Sequence, residues 1–247
     1  MRRFWVDRSC FQGDQILLKD MLFHHICRVS QIRRGESFEV FAQGVQKYKV
    51  TLEEVSSSRA VAKIVKAYEV PPLPKPYLHL ALSIPRFSKL DSIVEKAVEL
   101  GVKEFHPFIS ELSFIKAASK WSSARQTRLE KIVENSLAVS GRTEALKLHP
   151  IKLLEDVNIP KDHRVLVAYE GGESSSKNIK EQLTSLDKQA PPTDIWLFVG
   201  SEGGFTLKEA QGLSQEGAFL VGLGSQILRV ETACLVGLSI LKYHYHS

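Results

Sequence analysis

Ile195-Trp196-Leu197-Phe198 runs directly into Val199-Gly200-Ser201-Glu202-Gly203-Gly204-Phe205, so a short apolar strand ends in a glycine turn. A second turn, Leu223-Gly224-Ser225-Gln226-Ile227-Leu228-Arg229-Val230-Glu231-Thr232-Ala233, follows the apolar run Ala218-Phe219-Leu220-Val221. Glycine at a strand end lets main-chain amides and carbonyls approach a ligand with no Cβ in the way. Ligands of open α/β sheets collect at the carboxyl ends of the strands. The two turns therefore predict one ligand held mainly by main chain, and the simpler alternative is two tight turns with no ligand.

The bulk composition is that of a globular protein without membrane spans. The chain has 247 residues, of which 43% are hydrophobic and 25% charged, which suits one large domain or two modest ones. No apolar run reaches the roughly 18 residues that a membrane helix needs. The first residues, from Met1 to Asp7, lack the apolar core of a secretory signal. Three scattered cysteines, Cys10, Cys27 and Cys234, suit a reducing compartment. We expect a cytoplasmic protein.

Positive charge is concentrated in the first third of the chain. Residues 1–70 hold 12 of the 33 Lys and Arg residues but only 8 of the 28 Asp and Glu residues. A locally basic segment points to nucleic acid or another polyanion, and the alternative is an ordinary solvated surface.

A proline-rich segment divides the chain. Pro71-Pro72-Leu73-Pro74-Lys75-Pro76 favours an extended spacer. Short alternating runs precede it and predict a small, barrel-like β domain: Arg3–Val6, Gln15–Leu18, Ser37–Phe41, Tyr48–Leu52 and Ala60–Val65, with a helix-like stretch over Met21–Ser30.

Strands alternate with amphipathic helices after the spacer. The predicted strands are Tyr77–Ile84, Phe105–Ile109, Arg164–Ala168 and Ile195–Val199. One helix begins at Ser88 with a capping box to Asp91, a long helix covers 122–140, and a second capping box joins Thr206 to Glu209. A final helix, apolar almost all round, covers 230–243 and requires burial by the core or by a partner subunit. This alternation predicts an α/β fold with a parallel sheet.

Few other sites are indicated by the residues themselves. The second turn has Ile227 where a dinucleotide fingerprint needs its third glycine. The histidines show no metal-ligand spacing, so no metal is expected. Arg229 stands where a helix dipole disfavours a cation, which suggests that it faces an anion, whereas Glu231 suits a helix start.

The motifs resemble the RsmE-type ribosomal RNA methyltransferases of the SPOUT superfamily. The resemblance spans the chain and is carried by Arg2-Arg3-Phe4, His25–Val29, Arg33–Glu36, Glu95–Val102, Ser110-Glu111, Ser140-Gly141-Arg142, Gly200–Gly204 and Leu223–Ala233. It implies S-adenosylmethionine as methyl donor, methylation of N3 of a uridine in 16S rRNA of the small subunit, and a homodimer formed through the C-terminal domain. It further implies a PUA-like RNA-binding domain over 1–70, a linker over 71–76, and a SPOUT methyltransferase domain over 77–247 with a C-terminal trefoil knot.

The resemblance also implies roles for individual residues. Cofactor binding is expected at Val199, Gly200, Glu202, Gly203, Gly204, Leu223, Gly224, Ile227, Leu228 and Thr232. RNA binding is expected at Arg2, Arg3, Arg28, Arg33, Arg34 and Arg142. The catalytic hypothesis is that Arg229 holds negative charge on the uracil carbonyls or a nearby phosphate, while Glu231 orients Arg229.

Four departures from the family pattern leave alternatives open. Ser201 replaces a proline, Gln226 and Leu112 replace arginines, and Asn135–Val139 replaces an acidic stretch. The alternatives are another SPOUT RNA methyltransferase that modifies the ribose 2′-O, a non-catalytic RNA-binding protein, and a metabolic nucleotide-binding enzyme.

Overall fold

The computed structural model describes residues 2–42, 44, 46–171, 177–188 and 190–246. Its strands are β1 Arg3–Trp5, β2 Phe11–Gln12, β3 Gln15–Lys19, β4 Ser37–Phe41, β5 Gln46–Val55, β6 Arg59–Glu69, β7 Tyr77–Ser83, β8 Val102–Ile109, β9 Lys147–Leu148, β10 Lys152–Leu153, β11 Arg164–Ala168, β12 Lys177–Asn178, β13 Asp194–Val199 and β14 Phe219–Gly222. Its α-helices are α1 Asp20–Phe23, α2 Phe87–Glu99, α3 Ser123–Ser140, α4 Ile179–Leu186, α5 Leu207–Gln215 and α6 Val230–His246. A π-helix, His24–Val29, continues α1, and 3-10 turns lie at Arg8–Cys10, Ala118–Lys120 and Leu154–Asp156.

The chain divides into two compact units. The first comprises Met1–Pro72 and Val133–Ala145, and the second comprises Leu73–Ile132 and Leu146–Ser247. The break after Pro72 falls within the proline-rich segment, and residues 133–145 join the first unit from later in the chain.

A mixed sheet forms the first unit. Its strand order is β1-β4-β5-β6-β3-β2, in which β1 pairs with β4 in parallel and the other pairs are antiparallel. Alternation along each strand turns one set of side chains inward, so Phe38, Val40, Val50 and Leu52 are fully buried. Burial of each large side chain stabilises the unit by about 1.5–3 kcal/mol relative to its exposure.

A parallel sheet forms the second unit. Its order is β10-β8-β7-β13-β11-β14-β12, and β9 also pairs with β8. The central strands are apolar along their length because helices cover both faces of such sheets. The strands predicted over 164–168 and 195–199 are confirmed, and β13 and β11 lie side by side.

Most predicted helices are confirmed, but α4 had no predicted counterpart and most of the helix-like stretch Met21–Ser30 is the π-helix. The helix predicted over 122–140 is α3, and the capping box of Thr206 with Glu209 opens α5. The predicted capping box of Ser88 with Asp91 is wrong, because α2 begins after Arg86 with no side-chain cap. Asp91 instead accepts hydrogen bonds from Arg125 Nη1 at 3.1 Å and Arg128 Nε at 2.6 Å.

The last helix, α6, is only partly covered within the chain. Ala233, Cys234, Leu238 and Leu241 are buried, as the apolar pattern requires. On another side of the helix, Leu235 is 41% exposed and Tyr243 is 78% exposed. None of the helices in the described residues is long and apolar enough to cross a membrane.

Candidate functional site

The two glycine turns lie at the same edge of the parallel sheet. The first follows β13 and the second follows β14, and β11 lies between these strands. Three neighbouring carboxyl ends therefore meet at one place, where open α/β sheets bind ligands. A cavity opens there and is lined by Ala168, Tyr169, Glu170, Val199, Gly200, Ser201, Glu202, Gly204, Phe205, Gly222, Leu223, Gly224, Gln226, Ile227, Leu228, Val230 and Ala233.

The first turn requires glycine because its two ends touch. The N–H of Gly204 donates to the carbonyl of Ser201 at 3.0 Å, which folds the chain back on itself. A Cβ placed on Gly200 would lie 2.5 Å from the carbonyl carbon of Gly204 and 2.7 Å from its Cα. Side chains cannot approach a backbone so closely, so the turn presents bare main chain to the cavity.

The second turn is open to solvent. Gly224 has φ +136°, which a residue with a Cβ rarely adopts. The segment from Gly224 to Ile227 is exposed, and the side chain of Ile227 is 80% exposed. The chain then enters α6, where the N–H of Ala233 donates to the carbonyl of Arg229 at 2.8 Å. One wall of the cavity is therefore an exposed loop, while the opposite wall is anchored in the sheet.

The structure brings together most of the residues predicted to bind a cofactor. The residues among them that line the cavity are Val199, Gly200, Glu202, Gly204, Leu223, Gly224, Ile227 and Leu228. Gly203 and Thr232 are outside this lining: Gly203 faces Leu112, whose Cβ would lie 3.1 Å from a Cβ on that glycine. Thr232 stands in the first turn of α6.

The end of β11 contributes residues that the sequence motifs did not single out. Tyr169 and Glu170 line the cavity directly after this strand, and the N–H of Tyr169 donates to the carbonyl of Val221 on β14 at 3.0 Å. These residues could have been found from the sequence, because the apolar run Arg164–Ala168 predicts a central parallel strand. A strand that lies between the two strands preceding the glycine turns must end beside those turns, so the residues directly after it lie at the same end of the sheet.

A lysine from α2 lies beside the acidic residues of both turns. Lys89 Nζ is 3.0 Å from Glu231 Oε2 and 3.9 Å from Glu202 Oε1. The N–H of Arg86, at the start of α2, donates to Glu202 Oε1 at 3.1 Å, where a carboxylate is favoured by the helix dipole. Lys89 therefore connects the two turns through their carboxylates, a role that nothing in the sequence pattern indicated.

Glu231 is held as a carboxylate. Burial acts to raise its pKa, but its own backbone N–H and the Lys89 ammonium outweigh burial, with Arg229 adding attraction, so the pKa lies below its usual range. The close ion-pair partner of Glu231 is Lys89 rather than Arg229, which differs from the arrangement expected from sequence.

Arg229 stays available to a ligand. Its side chain is exposed at the start of α6, between the cavity-lining residues Leu228 and Val230. No side chain in the described residues hydrogen-bonds or ion-pairs with its guanidinium. The predicted position of Arg229, beside the cavity and facing outward, suits contact with an anion.

Two of the departures from the family pattern contact each other. Ser201 is buried, and its hydroxyl donates to the carbonyl of Leu112 at 2.5 Å. The N–H of Glu111 donates to Glu209 Oε1 at 2.7 Å, which links the same loop to α5, the helix that follows the first turn. The loop after β8 is thus fastened to the first turn. Gln226 lines the cavity, and Asn135–Val139 lies in α3.

The arginines predicted to bind RNA lie in the first unit and fall into two groups. Exposed side chains belong to Arg2, Arg3, Arg28, Arg33 and Arg34. Arg3 pairs with Glu39 at 3.2 Å, and Arg28 Nη2 donates to the carbonyl of Ser57 at 3.3 Å. Arg142 is different, because burial lowers its pKa to about 10, against an opposing attraction from Glu144.

Comparison with known proteins gives a consistent result. The sequence model of the RNA methyltransferase domain matches residues 71–242. Ribosomal RNA small subunit methyltransferase E of Bacillus subtilis is 29% identical over 224 residues, covering 89% of this chain and 86% of that protein. The Aquifex aeolicus protein of the same name is 28% identical over 240 residues, covering 93% and 95%. The crystal structure of the Neisseria gonorrhoeae protein of that name, bound to S-adenosyl methionine, has a TM-score of 0.84 at 26% identity, covering 99% and 98%.

Proposed function

Because the chain belongs to the RNA methyltransferase family, and within it to the RsmE type of the SPOUT superfamily, we propose that it transfers a methyl group from S-adenosylmethionine to N3 of a uridine in 16S rRNA of the small subunit. The observation that carries this proposal is the cavity at the carboxyl ends of β13, β11 and β14, built from two main-chain turns. The Neisseria gonorrhoeae relative, which shares this fold, was solved with S-adenosyl methionine bound.

The lining of the cavity fits an adenosyl sulfonium. Bare main chain at Gly200 and Gly224 offers amides and carbonyls for a purine edge, and Val199, Phe205 and Leu228 supply apolar surface. The lining also contains the carboxylates of Glu170 and Glu202. These suit ribose hydroxyls and a positively charged sulfur, since carboxylates accept hydrogen bonds and attract cations. When bound, the cofactor supplies the electrophilic methyl group.

The acceptor base must reach the cavity unpaired, because N3 lies on the Watson–Crick edge of uracil. Methyl transfer to N3 requires the N3 proton to leave, with water as its acceptor, so negative charge develops on the uracil ring as the S–CH₃ bond breaks and the N–CH₃ bond forms. Arg229 is exposed beside the cavity and is suited to hold that charge, or an adjacent phosphate. Glu231, whose carboxylate pairs with Lys89, lies two residues after Arg229 in the first turn of α6 and attracts the Arg229 guanidinium.

The first unit is proposed as the RNA-binding part. We assign residues 1–70 to a PUA-like barrel, residues 71–76 to a linker and residues 77–247 to the SPOUT domain. The mixed curled sheet and the exposed arginines at Arg2, Arg3, Arg28, Arg33 and Arg34 support the assignment. Phosphate contacts from such side chains position a protein on RNA without specifying its sequence.

A homodimer formed through the C-terminal domain and a trefoil knot complete the proposal. Support for the dimer comes from α6, where Leu235 and Tyr243 remain exposed on an otherwise apolar helix. Because the substrate is a ribosomal subunit, we place the protein in the cytoplasm.

The test is a methylation assay on the natural substrate class. Small ribosomal subunits from a strain lacking the endogenous activity are incubated with the protein and labelled S-adenosylmethionine. Digestion of the rRNA to nucleosides and mass analysis should then give 3-methyluridine. A 2′-O-methylated nucleoside would identify the ribose-modifying alternative, and tight RNA binding with no label transferred would identify a non-catalytic RNA-binding protein.

Variants of Arg229 test its proposed role beside the uracil that accepts the methyl group. Arg229→Ala should lose methylation while retaining affinity for S-adenosylmethionine, and Arg229→Lys should recover part of the rate because it keeps the charge. Lys180→Ala, which removes an exposed charge from α4, is the matched control. If Arg229→Ala loses cofactor affinity and methylation together, the role of Arg229 is structural.

A further inference from the structure

Four of the eight histidines lie near the amino ends of the strands of the parallel sheet, at the opposite end from the glycine turns. His79 belongs to β7 and His106 to β8, while His149 and His163 flank β9 and β11. The pairing register sets His79 beside Glu104, and Glu104 and His106 share one face because strand side chains alternate. With Asp194 and Trp196, these residues line a cavity of about 280 Å³. This cavity is separate from the one at the glycine turns, since it lies at the amino ends of β7 and β13.

Three ligand atoms converge in this cavity. His79 Nδ1 is 3.3 Å from His106 Nε2, and Glu104 Oε2 is 3.7 Å from His106 Nε2. The three atoms all lie within 4.8 Å of one another. Zinc binds imidazole nitrogen at roughly 2.0–2.1 Å with tetrahedral angles, which separates two nitrogen ligands by about 3.3–3.4 Å. The histidine pair already has this spacing.

The groups behind these atoms orient them as ligands. His79 Nε2 lies 2.8 Å from Asp194 Oδ1, so a proton on that nitrogen leaves Nδ1 free to face His106. Glu104 is held by His149 Nε2 at 2.5 Å. Trp196 Nε1 donates to His163 Nδ1 at 2.9 Å, and His163 Nε2 is 3.6 Å from Asp194 Oδ2. A carboxylate behind a histidine is the usual support of a metal ligand.

A hydrogen bond between His79 and His106 is the competing explanation of the short distance. Such a hydrogen bond explains the distance between the two histidines. It does not explain why the Glu104 carboxylate lies at the same place or why a cavity adjoins these three side chains. The nearby ammonium of Lys147 lies 3.8 Å from Glu104 Oε2. Its side chain is 64% exposed, so it is able to turn into solvent when a cation enters.

We propose that His79, His106 and Glu104 bind one divalent transition-metal ion, with Zn²⁺ as the best match to two imidazoles and one carboxylate. Water from the adjoining cavity would complete the coordination. The ion would join β7 to β8 at the edge of the sheet away from the glycine turns. Its role is therefore to stabilise the second unit, and the proposal does not depend on methyl transfer.

The test measures zinc binding directly. Purified protein is treated with EDTA, exchanged into metal-free buffer and titrated with ZnCl₂ by calorimetry, and its thermal unfolding is recorded with and without zinc. We expect one equivalent bound and a higher unfolding temperature with zinc, because an ion that binds only the folded state stabilises it. Titration with Co²⁺ should give the intense visible absorption of a tetrahedral site. A wild-type protein that binds no zinc, or cobalt spectra of octahedral type only, would overturn the proposal.

Variants locate the ion. His106→Gln should weaken zinc binding by at least about 100-fold. Asp194→Asn, which changes the support of His79 and its contact with His163 but removes no ligand, should weaken it by about 10- to 100-fold. His24→Gln, at an exposed histidine outside the cavity, is the matched control and should bind zinc like the wild type. Circular dichroism establishes that each variant folds. Zinc binding that survives His106→Gln, or that is lost equally in His24→Gln, places the ion elsewhere and refutes the assignment.

Discussion

Substitution of Gly200 by alanine tests whether main-chain atoms of the glycine turns hold the cofactor in the proposed cavity. The new Cβ would lie 2.5 Å from the carbonyl carbon of Gly204, whereas real Cβ atoms do not come closer than 3.0 Å. The backbone of the turn must therefore move by about 0.5 Å, since neither contact atom belongs to a side chain that can rotate away. Overpacking of this kind costs about 1–3 kcal/mol. If the turn is displaced from the ligand, the same energy weakens binding by about 5- to 150-fold.

The assay is calorimetric titration with S-adenosylmethionine beside urea unfolding of the same preparation. Gly212→Ala is the matched control, because a Cβ there meets nothing within 4 Å and the residue lies inside α5. It should stabilise the fold by about 0.5–1 kcal/mol and leave binding unchanged. A folded Gly200→Ala protein with wild-type affinity for the cofactor would show that the first turn does not hold the ligand through bare main chain.

Three further predictions concern charge. Burial lowers the pKa of His106 to about 2, with repulsion from His149 and His79 adding to it, and burial also lowers the pKa of His79. Unfolding below about pH 6.5 therefore gives His106 a proton that it lacks in the folded protein, and His79 acts in the same direction. In EDTA the free energy of unfolding should drop by about 1.4 kcal/mol from His106 alone between pH 7.5 and 5.5. A drop equally large in His106→Gln would contradict this. Replacement of both Arg33 and Arg34 by glutamine should reduce the slope of log affinity for RNA against log salt by up to about 0.7–0.9 for each phosphate that the protein no longer neutralises; an unchanged slope would place the RNA elsewhere. Lys89→Met should slow methylation and raise the pKa of Glu231, whose carboxylate loses its ammonium partner at 3.0 Å; an unchanged pH–rate profile would remove Lys89 from the site.

Local patterns were sufficient for the elements that form the cavity. The strands before both turns were recognisable as short apolar runs that end in glycine, and the capping box of Thr206 with Glu209 was readable because its two partners are three residues apart. The same three-residue spacing gave a wrong prediction of a capping box for Ser88 and Asp91. There the carboxylate is taken by Arg125 and Arg128, more than thirty residues away, and the start of α2 is left uncapped by any side chain.

Interactions between distant segments account for what the sequence did not predict. Lys89 meets Glu231 only because α2 and α6 pack together. His79 meets His106 only because β7 and β8 pair in one particular register. The alternation of Glu104 and His106 on one strand was enough to predict that both side chains lie on one face. It did not identify His79 as their neighbour, because that depends on the register between β7 and β8. The two-residue strands β2, β9, β10 and β12 are too short to show any periodicity.

A crystal structure of this protein with S-adenosylmethionine would decide whether the two glycine turns form the cofactor site. We expect the adenosyl group between the turn that follows β13 and the turn that follows β14, touched by main-chain atoms of residues 199–204 and 222–228, with the methyl group facing the side on which Arg229 is exposed. Density for the cofactor at another place, or those two turns empty in crystals grown at saturating cofactor, would show that the site lies elsewhere.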